Sequence, residues 1–164
     1  MSDAKRLSEL VERELEAIAD PRVRNHVRSL LVEPRPILRD WDYGEPGQQY
    51  VCWNVAEDLA RSKVAIAYCE QGFGPANPWG LVWTHGDEGE GSIGMDSAWS
   101  LTLEEAVHDS VASGLPIWRL YGQDGALSEE MDWDAAWKAC EARRVADPDG
   151  LYGVDRDRKG PLAD

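Results

Sequence analysis

Four side chains near the middle of the sequence have types that could do acid, base or nucleophilic chemistry. Tyr68, Cys69 and Glu70 are consecutive, and His85 follows them. A thiol near an imidazole could act as a nucleophile, and a tyrosine beside a glutamate could hold a polar ligand. However, the sequence has no G-x-S-x-G motif and no dinucleotide-binding fingerprint. We therefore predict no catalytic residue, metal or cofactor, and keep as an alternative a small enzyme or ligand-binding protein with a pocket at Tyr68, Glu70, His85 and Trp79.

The stretch "GFGPANPWG", residues 72–80, resembles at first sight a glycine-rich phosphate loop. It contains no basic residue and two prolines that lack the backbone N–H, and a strand pattern follows it where a phosphate loop needs a helix. The sequence therefore predicts a stiff hairpin connection, with positive φ available at its glycines. Phe73 and Trp79 either pack back on the sheet or stay partly exposed as aromatic anchors for a partner.

The loop at residues 85–90 is rich in oxygen ligands and carries one imidazole. His85, Asp87, Glu88 and Glu90 are the residue types that hold magnesium, manganese or calcium. The HExxH spacing and the EF-hand glycine pattern are both absent, and a solvated acidic loop accounts for the same residues. A metal site at this loop stays an open alternative.

The net charge of −14 is unevenly distributed along the chain. Residues 1–41 hold eight acidic and eight basic side chains, whereas residues 84–137 hold twelve acids and one base, Arg119. Such a field repels nucleic acid and anionic lipid and attracts cationic partners. We therefore expect no nucleic-acid partner and no membrane partner, and a basic protein as the partner of the acidic half.

Helical spacing of apolar residues predicts a first helix over residues 3–19. Asp20 followed by Pro21 predicts the N-cap and first turn of a second helix, which the prolines of "EPRP" then end. Thr102 and Glu105 form a capping-box pattern for a third helix, and residues 132–144 predict a fourth. On the third helix, His108 follows Glu104 and Glu105 at ion-pair spacing.

Four segments alternate or are continuously apolar in the manner of strands: "QQYVCWNV", "KVAIAYCE", "PWGLVWT" and "LPIWRLYG". The second is apolar on both faces, which predicts a central strand with "PWGLVWT" as its neighbour. The fold class is α+β: a mostly antiparallel sheet of about four or five strands, with two N-terminal and two later helices packed on it. We predict one domain over residues 1–154, with a helical pair at 1–33 and sheet with helices at 34–154, and a mobile tail at 155–164.

The three scattered cysteines fit reduced, buried thiols better than a disulfide framework. The first twenty residues are charged and amphipathic rather than a signal peptide, and no apolar run is long enough to span a bilayer. We therefore expect a cytoplasmic protein.

In overall character, which is small, single-domain, tryptophan-rich and strongly acidic, the chain resembles bacterial immunity proteins that neutralise basic nuclease toxins. The resemblance implies a protein-protein interaction module of the immunity or inhibitor type. A homodimer, in which the basic second helix of one subunit meets the acidic half of another, is a further alternative. The residues expected to bind the partner are Phe73, Trp79, Glu104, Glu105, Asp109, Glu129, Glu130, Asp132 and Asp134.

Overall fold

The structure is a computed structural model that describes residues 3–58, 63–84, 91–94 and 98–156. The chain divides into two compact units, residues 1–111 and residues 112–164. The predicted α+β class is confirmed, since the described ranges contain four α-helices, a five-stranded antiparallel sheet and a second sheet of two strands. Among the described residues, no helix combines the length and the apolar character needed to cross a membrane.

Three helices belong to the first unit. Helix α1 (Asp3–Ala17) buries Leu7, Val11 and Leu15, and α2 (Pro21–Leu30) begins at the predicted cap, where Asp20 accepts a hydrogen bond from the Arg22 amide. Helix α3 (Leu103–Ser110) begins with the predicted capping box. The Thr102 hydroxyl accepts from the Glu105 amide, while the Glu105 carboxylate accepts from the Thr102 amide.

The five-stranded sheet is a meander in which each strand pairs with its neighbours in sequence. Its strands are β1 (Leu31–Asp40), β2 (Gln49–Glu57), β3 (Val64–Tyr68), β4 (Trp79–Trp83) and β5 (Trp99–Ser100). The prediction that "KVAIAYCE" forms a central strand is confirmed, since β3 is the middle strand and its residues 64–67 are all buried.

The two faces of this sheet are covered differently. Trp53, Tyr68 and Trp79 lie on the face that α1 packs against. The opposite face holds a core of small and medium apolar side chains, packed under Trp41, Tyr50 and Trp99: Cys52, Ala65, Ala67, Cys69, Val82 and Ile93. The sheet therefore separates a helical layer from an aromatic layer.

The second unit contains a short 3₁₀-helix (Ala112–Gly114), β6 (Trp118–Tyr121), α4 (Trp133–Ala146) and β7 (Gly153–Arg156). The segment "LPIWRLYG" is a strand as predicted, but it pairs with β7 in the second sheet rather than extending the first one. Residues 155 and 156, assigned above to a mobile tail, belong to β7 because they pair with Arg119 and Trp118. The remainder of that tail, 157–164, lies outside the described residues.

Candidate functional site

The loop at residues 72–80 has the geometry of a rigid corner. Gly72 and Gly74 have φ values of +73° and +77°, a conformation that favours glycine. Trp79 at the end of the loop is only 1% exposed, and its ring contacts Tyr68 edge to face at 5.0 Å. The assignment of Trp79 to a partner-binding surface is therefore wrong, because a core side chain cannot reach a partner.

Phe73, in contrast, is half-buried and belongs to a cluster of aromatic rings. We call this group the aromatic cluster; its members are Trp41, Tyr43, Tyr50, Phe73 and Trp99. Phe73 lies edge to face with Trp41 at 5.1 Å and stacks with Trp99 at 5.8 Å. Tyr43 lies edge to face with Trp41 at 5.2 Å and is 60% exposed. The cluster thus has a partly buried base and one exposed side chain, Tyr43.

Hydrogen bonds within residues 41–48 fix the turn that carries Tyr43. The Trp41 amide donates to the Gln48 carbonyl at 2.9 Å, and the Gly44 amide donates to the Trp41 carbonyl at 3.1 Å. The Gln48 side chain also donates to the Tyr50 hydroxyl at 2.5 Å. The exposed ring is therefore held in position by backbone and side-chain contacts before any partner arrives.

The exposed charged side chains around the turn are acidic, whereas Arg39, opposite Tyr50 in the β1–β2 pair, is fully buried. Asp40, Asp42 and Glu45 lie in or beside the turn and are exposed, and we call these three residues the acidic rim. Neither residues 40–50 nor residues 70–80 contain a lysine, arginine or histidine. Sequence reasoning missed Trp41, Tyr43 and Tyr50, although the alternation of acidic and aromatic residues in "DWDYGE" was a signal that could have identified the turn.

The acidic residues predicted to bind a partner divide between the two units. On α3, Glu105 caps its own helix and Glu104 lies 3.6 Å from the His108 imidazole, while Asp109 is exposed. The predicted spacing of His108 and Glu104 therefore produces a contact within one helix, in which the His108 side chain is only 9% exposed.

In the second unit, Asp132 and Glu130 have local partners. The Asp132 carboxylate accepts from the Ala135 amide at 2.8 Å as the N-cap of α4, and Glu130 pairs with Arg119 at 3.8 Å. Glu129 and Asp134 are exposed, and their carboxylates have no ion pair within the ranges that the structure describes. Among the four predicted acids of this unit, these two are the most available to a cationic partner.

The alternative pocket predicted at Tyr68 and Glu70 corresponds to a real cleft. A cavity of 490 Å³ lies between α1 and the sheet, and both residues line it. The Tyr68 hydroxyl lies 3.4 Å from a Glu70 carboxylate oxygen. The pKa of Tyr68 is raised, mainly because the side chain is partly buried and secondly because the negative charge of Glu70 is near. The predicted third member, His85, lies outside the described residues together with the rest of the 85–90 loop.

Cys69 is not positioned to act as a nucleophile. Its side chain and that of Cys52 are 0% exposed and share a hydrogen bond across β2 and the end of β3. This hydrogen bond, together with burial, raises the pKa of the Cys52 thiol. A substrate cannot reach either sulfur, and the predicted reduced, buried state of the cysteines is confirmed.

Metal-ligand side chains are dispersed over the described part of the chain. Over residues 3–58, 63–84, 91–94 and 98–156, no three histidine, cysteine, aspartate or glutamate side chains are grouped closely enough to hold an ion.

Comparison of the chain with protein-family models, with curated proteins and with solved structures gives no match.

Proposed function

We propose that this chain is a protein-binding module that recognises a basic protein, as an immunity or inhibitor protein recognises a nuclease toxin. The observation that carries the proposal is the aromatic cluster, which presents the exposed Tyr43 ring inside the acidic rim. Tyrosine and tryptophan are enriched among the residues that dominate binding energy at protein interfaces.

The chemistry of this surface fits lysine and arginine side chains. A cation placed over an exposed tyrosine face gains about 0.5–1 kcal/mol, and more when water is excluded. Asp42 and Glu45 lie one and two residues from Tyr43 in the chain, and as exposed carboxylates they can attract the same cations. Since the turn is already fixed by its own hydrogen bonds, little conformational entropy is lost when the partner binds.

The charge of the whole chain supports the same partner. A protein with a net charge of −14 attracts a basic protein over distances of about 10 Å at about 0.1 M salt, and this attraction weakens as salt is added. The exposed acids Glu129 and Asp134 extend the acidic character to the second unit. Charge would therefore control the association rate, while the aromatic cluster would control the lifetime of the complex.

The test begins with affinity purification from the source organism at about 0.1 M and about 0.5 M salt, followed by Kd measurement with the purified partner. Tyr43→Ala should weaken binding by about tenfold or more, as expected for an interface hot spot. Tyr121→Ala is the matched control, because Tyr121 is also an exposed tyrosine but lies in the other unit. A partner that is acidic, or equal affinity of Tyr43→Ala and the unmutated protein, would contradict the proposal.

A second pair of variants separates charge from packing. Glu45→Gln should lower the association rate and its salt dependence without changing stability, because the Glu45 carboxylate has no described partner. Glu16→Gln on α1 removes the same charge away from the acidic rim and should have a smaller effect. Neutralising Glu129 and Asp134 together tests the second unit without removing the Glu105 or Asp132 caps.

The homodimer remains a separate proposal with its own measurement. Sedimentation of the purified chain at about 0.05 M and about 0.5 M salt spans Debye lengths from above 10 Å to about 4 Å. A dimer that dissociates at high salt would support pairing of the arginine-rich α2 with acidic surfaces, whereas a monomer at both salts would exclude it.

A further inference from the structure

The cleft between α1 and the sheet differs in chemistry from the aromatic cluster, and we call it the α1 cleft. Its apolar wall is formed by Leu7 and Leu10 of α1 and by Val51 and Trp53 of β2. Val51 is 38% exposed, so this wall is open to solvent in the free protein. A volume of 490 Å³ falls within the usual 300–1,000 Å³ of small-molecule sites.

The polar groups of the α1 cleft occur in two places along the helix. Near its first turn, Arg6 forms an ion pair with Glu70 at 2.9 Å, and the Tyr68 hydroxyl lies beside the same carboxylate. This exposed pair links α1 to the residues that follow β3. Arg13 also lines the cleft, seven residues later, which is about 10 Å along the helix axis.

Arg13 is a cation that lacks a partner of its own. Within the described part of the chain its guanidinium has no ion pair and no hydrogen bond, in contrast to Arg6. A guanidinium presents a planar fork of donors that matches a carboxylate. Beside an apolar wall, such a donor fixes the orientation of a ligand whose body is apolar.

The local charge also permits an anion here, in spite of the acidic character of the whole protein. The charged residues that line the cleft balance, since Arg6 and Arg13 are matched by Asp3 and Glu70, and the acidic excess of the chain comes from residues beyond 41. Screening at physiological salt limits the influence of charges more than about 8 Å away. The net negative charge of the whole chain therefore does not prevent an anion from binding at Arg13.

We propose that the α1 cleft binds a small molecule with an apolar body and one carboxylate, which pairs with Arg13 while the body lies on Leu10, Val51 and Trp53. This site is independent of the basic partner, because its cation and the acidic rim select opposite charges. At the other end of the cleft, Arg6 and Tyr68 are donors for a separate polar group of the ligand, and Glu70 disfavours a second carboxylate there.

The experiment is an NMR titration of the full chain with two carboxylates, octanoate and 3-phenylpropionate, up to about 5 mM, which detects fragment-level affinity. Octylamine and 3-phenylpropylamine are the charge-reversed controls. We expect at least one carboxylate to shift the Trp53 indole and Val51 amide signals, and to bind at least tenfold more tightly than its amine. Arg13→Gln should weaken that carboxylate at least tenfold, whereas Arg28→Gln, an exposed arginine on α2, should not.

Several results would overturn the proposal. A carboxylate site is contradicted if neither carboxylate shifts any signal, or if the shifted signals belong only to residues away from the cleft. It is also contradicted if the carboxylate and its amine bind with equal affinity. If Arg13→Gln binds the carboxylate with unchanged affinity, Arg13 is not the partner of the carboxylate. Since Arg13 is exposed on a helix surface, far-UV circular dichroism of the variant should match that of the unmutated protein, so a loss of binding reports on the site.

Discussion

Replacing Gly80 with alanine tests whether the Trp99 indole lies flat on β4. Gly80 pairs with Trp99 across β4 and β5, and a Cβ added at position 80 would lie 2.4 Å from two carbons of the indole. The φ of Gly80 lies outside the left-handed region, so the backbone itself accepts alanine. The expected effect is therefore purely steric.

The magnitude follows from two opposing terms. Overpacking a filled site costs about 1–3 kcal/mol, whereas glycine to alanine at an unstrained site stabilises by about 0.4–1 kcal/mol. We expect Gly80→Ala to lower the free energy of unfolding by about 1–2 kcal/mol, which is about 2–8 °C in Tm for a chain of this size. Displacement of Trp99 would also break its stack on Phe73, so partner binding should weaken in the same variant.

The assay is urea unfolding followed by far-UV circular dichroism in a double-mutant cycle. In a Trp99→Ala background the added methyl has space, so Gly80→Ala should be neutral or stabilising there. Gly153→Ala is the control in a strand, because nothing lies within 4 Å of a Cβ built at that glycine. If Gly80→Ala costs nothing in the unmutated protein, or costs the same in both backgrounds, the placement of Trp99 is refuted.

Three further predictions concern stability and reactivity. Asp132→Ala should cost about 1 kcal/mol in urea unfolding because it removes the N-cap of α4, while Asp134→Ala, two residues later in the first turn and without a described partner, should change stability by less than about 0.5 kcal/mol. The three cysteines are 0% exposed, so a thiol reagent should label them only at the rate of unfolding; rapid labelling of the native protein would contradict their burial. The side-chain hydrogen bond from Arg22 lowers the pKa of Asp20, so this carboxylate stabilises the fold above its unfolded pKa and loses that contribution as pH falls through the folded pKa. Asp20→Asn keeps a capping oxygen and should flatten the dependence of Tm on pH below about pH 4, an effect that scanning calorimetry at several pH values would detect.

Local signals in the sequence predicted the secondary structure well. The capping box of α3, the Asp20 cap of α2 and the apolar β3 depend on neighbouring residues only, and each occurs where the pattern places it. The pairing of β6 was not predictable in this way. A strand pattern specifies which residues alternate, but the choice between the five-stranded sheet and β7 depends on contacts distant in sequence.

The candidate site was only partly predictable. Phe73 and Trp79 belong to one short loop and looked equivalent, yet one is half-buried in the aromatic cluster and the other lies in the core. The difference arises because Trp79 is already a residue of β4, where its side chain points to the helical layer, whereas Phe73 precedes the strand. Burial of an aromatic ring depends on which face covers it, and composition does not carry that information.

The sequence by itself determined the α+β class, the start of each helix, the pairing of β3 with β4 and the acidic character, because these follow from periodicity, capping chemistry and charge along the chain. Only the tertiary structure decided that Trp41, Tyr43 and Phe73 meet, and that Arg13 lines an apolar cleft. These groupings join residues from separate segments, and they form because folding buries apolar surface collectively rather than segment by segment.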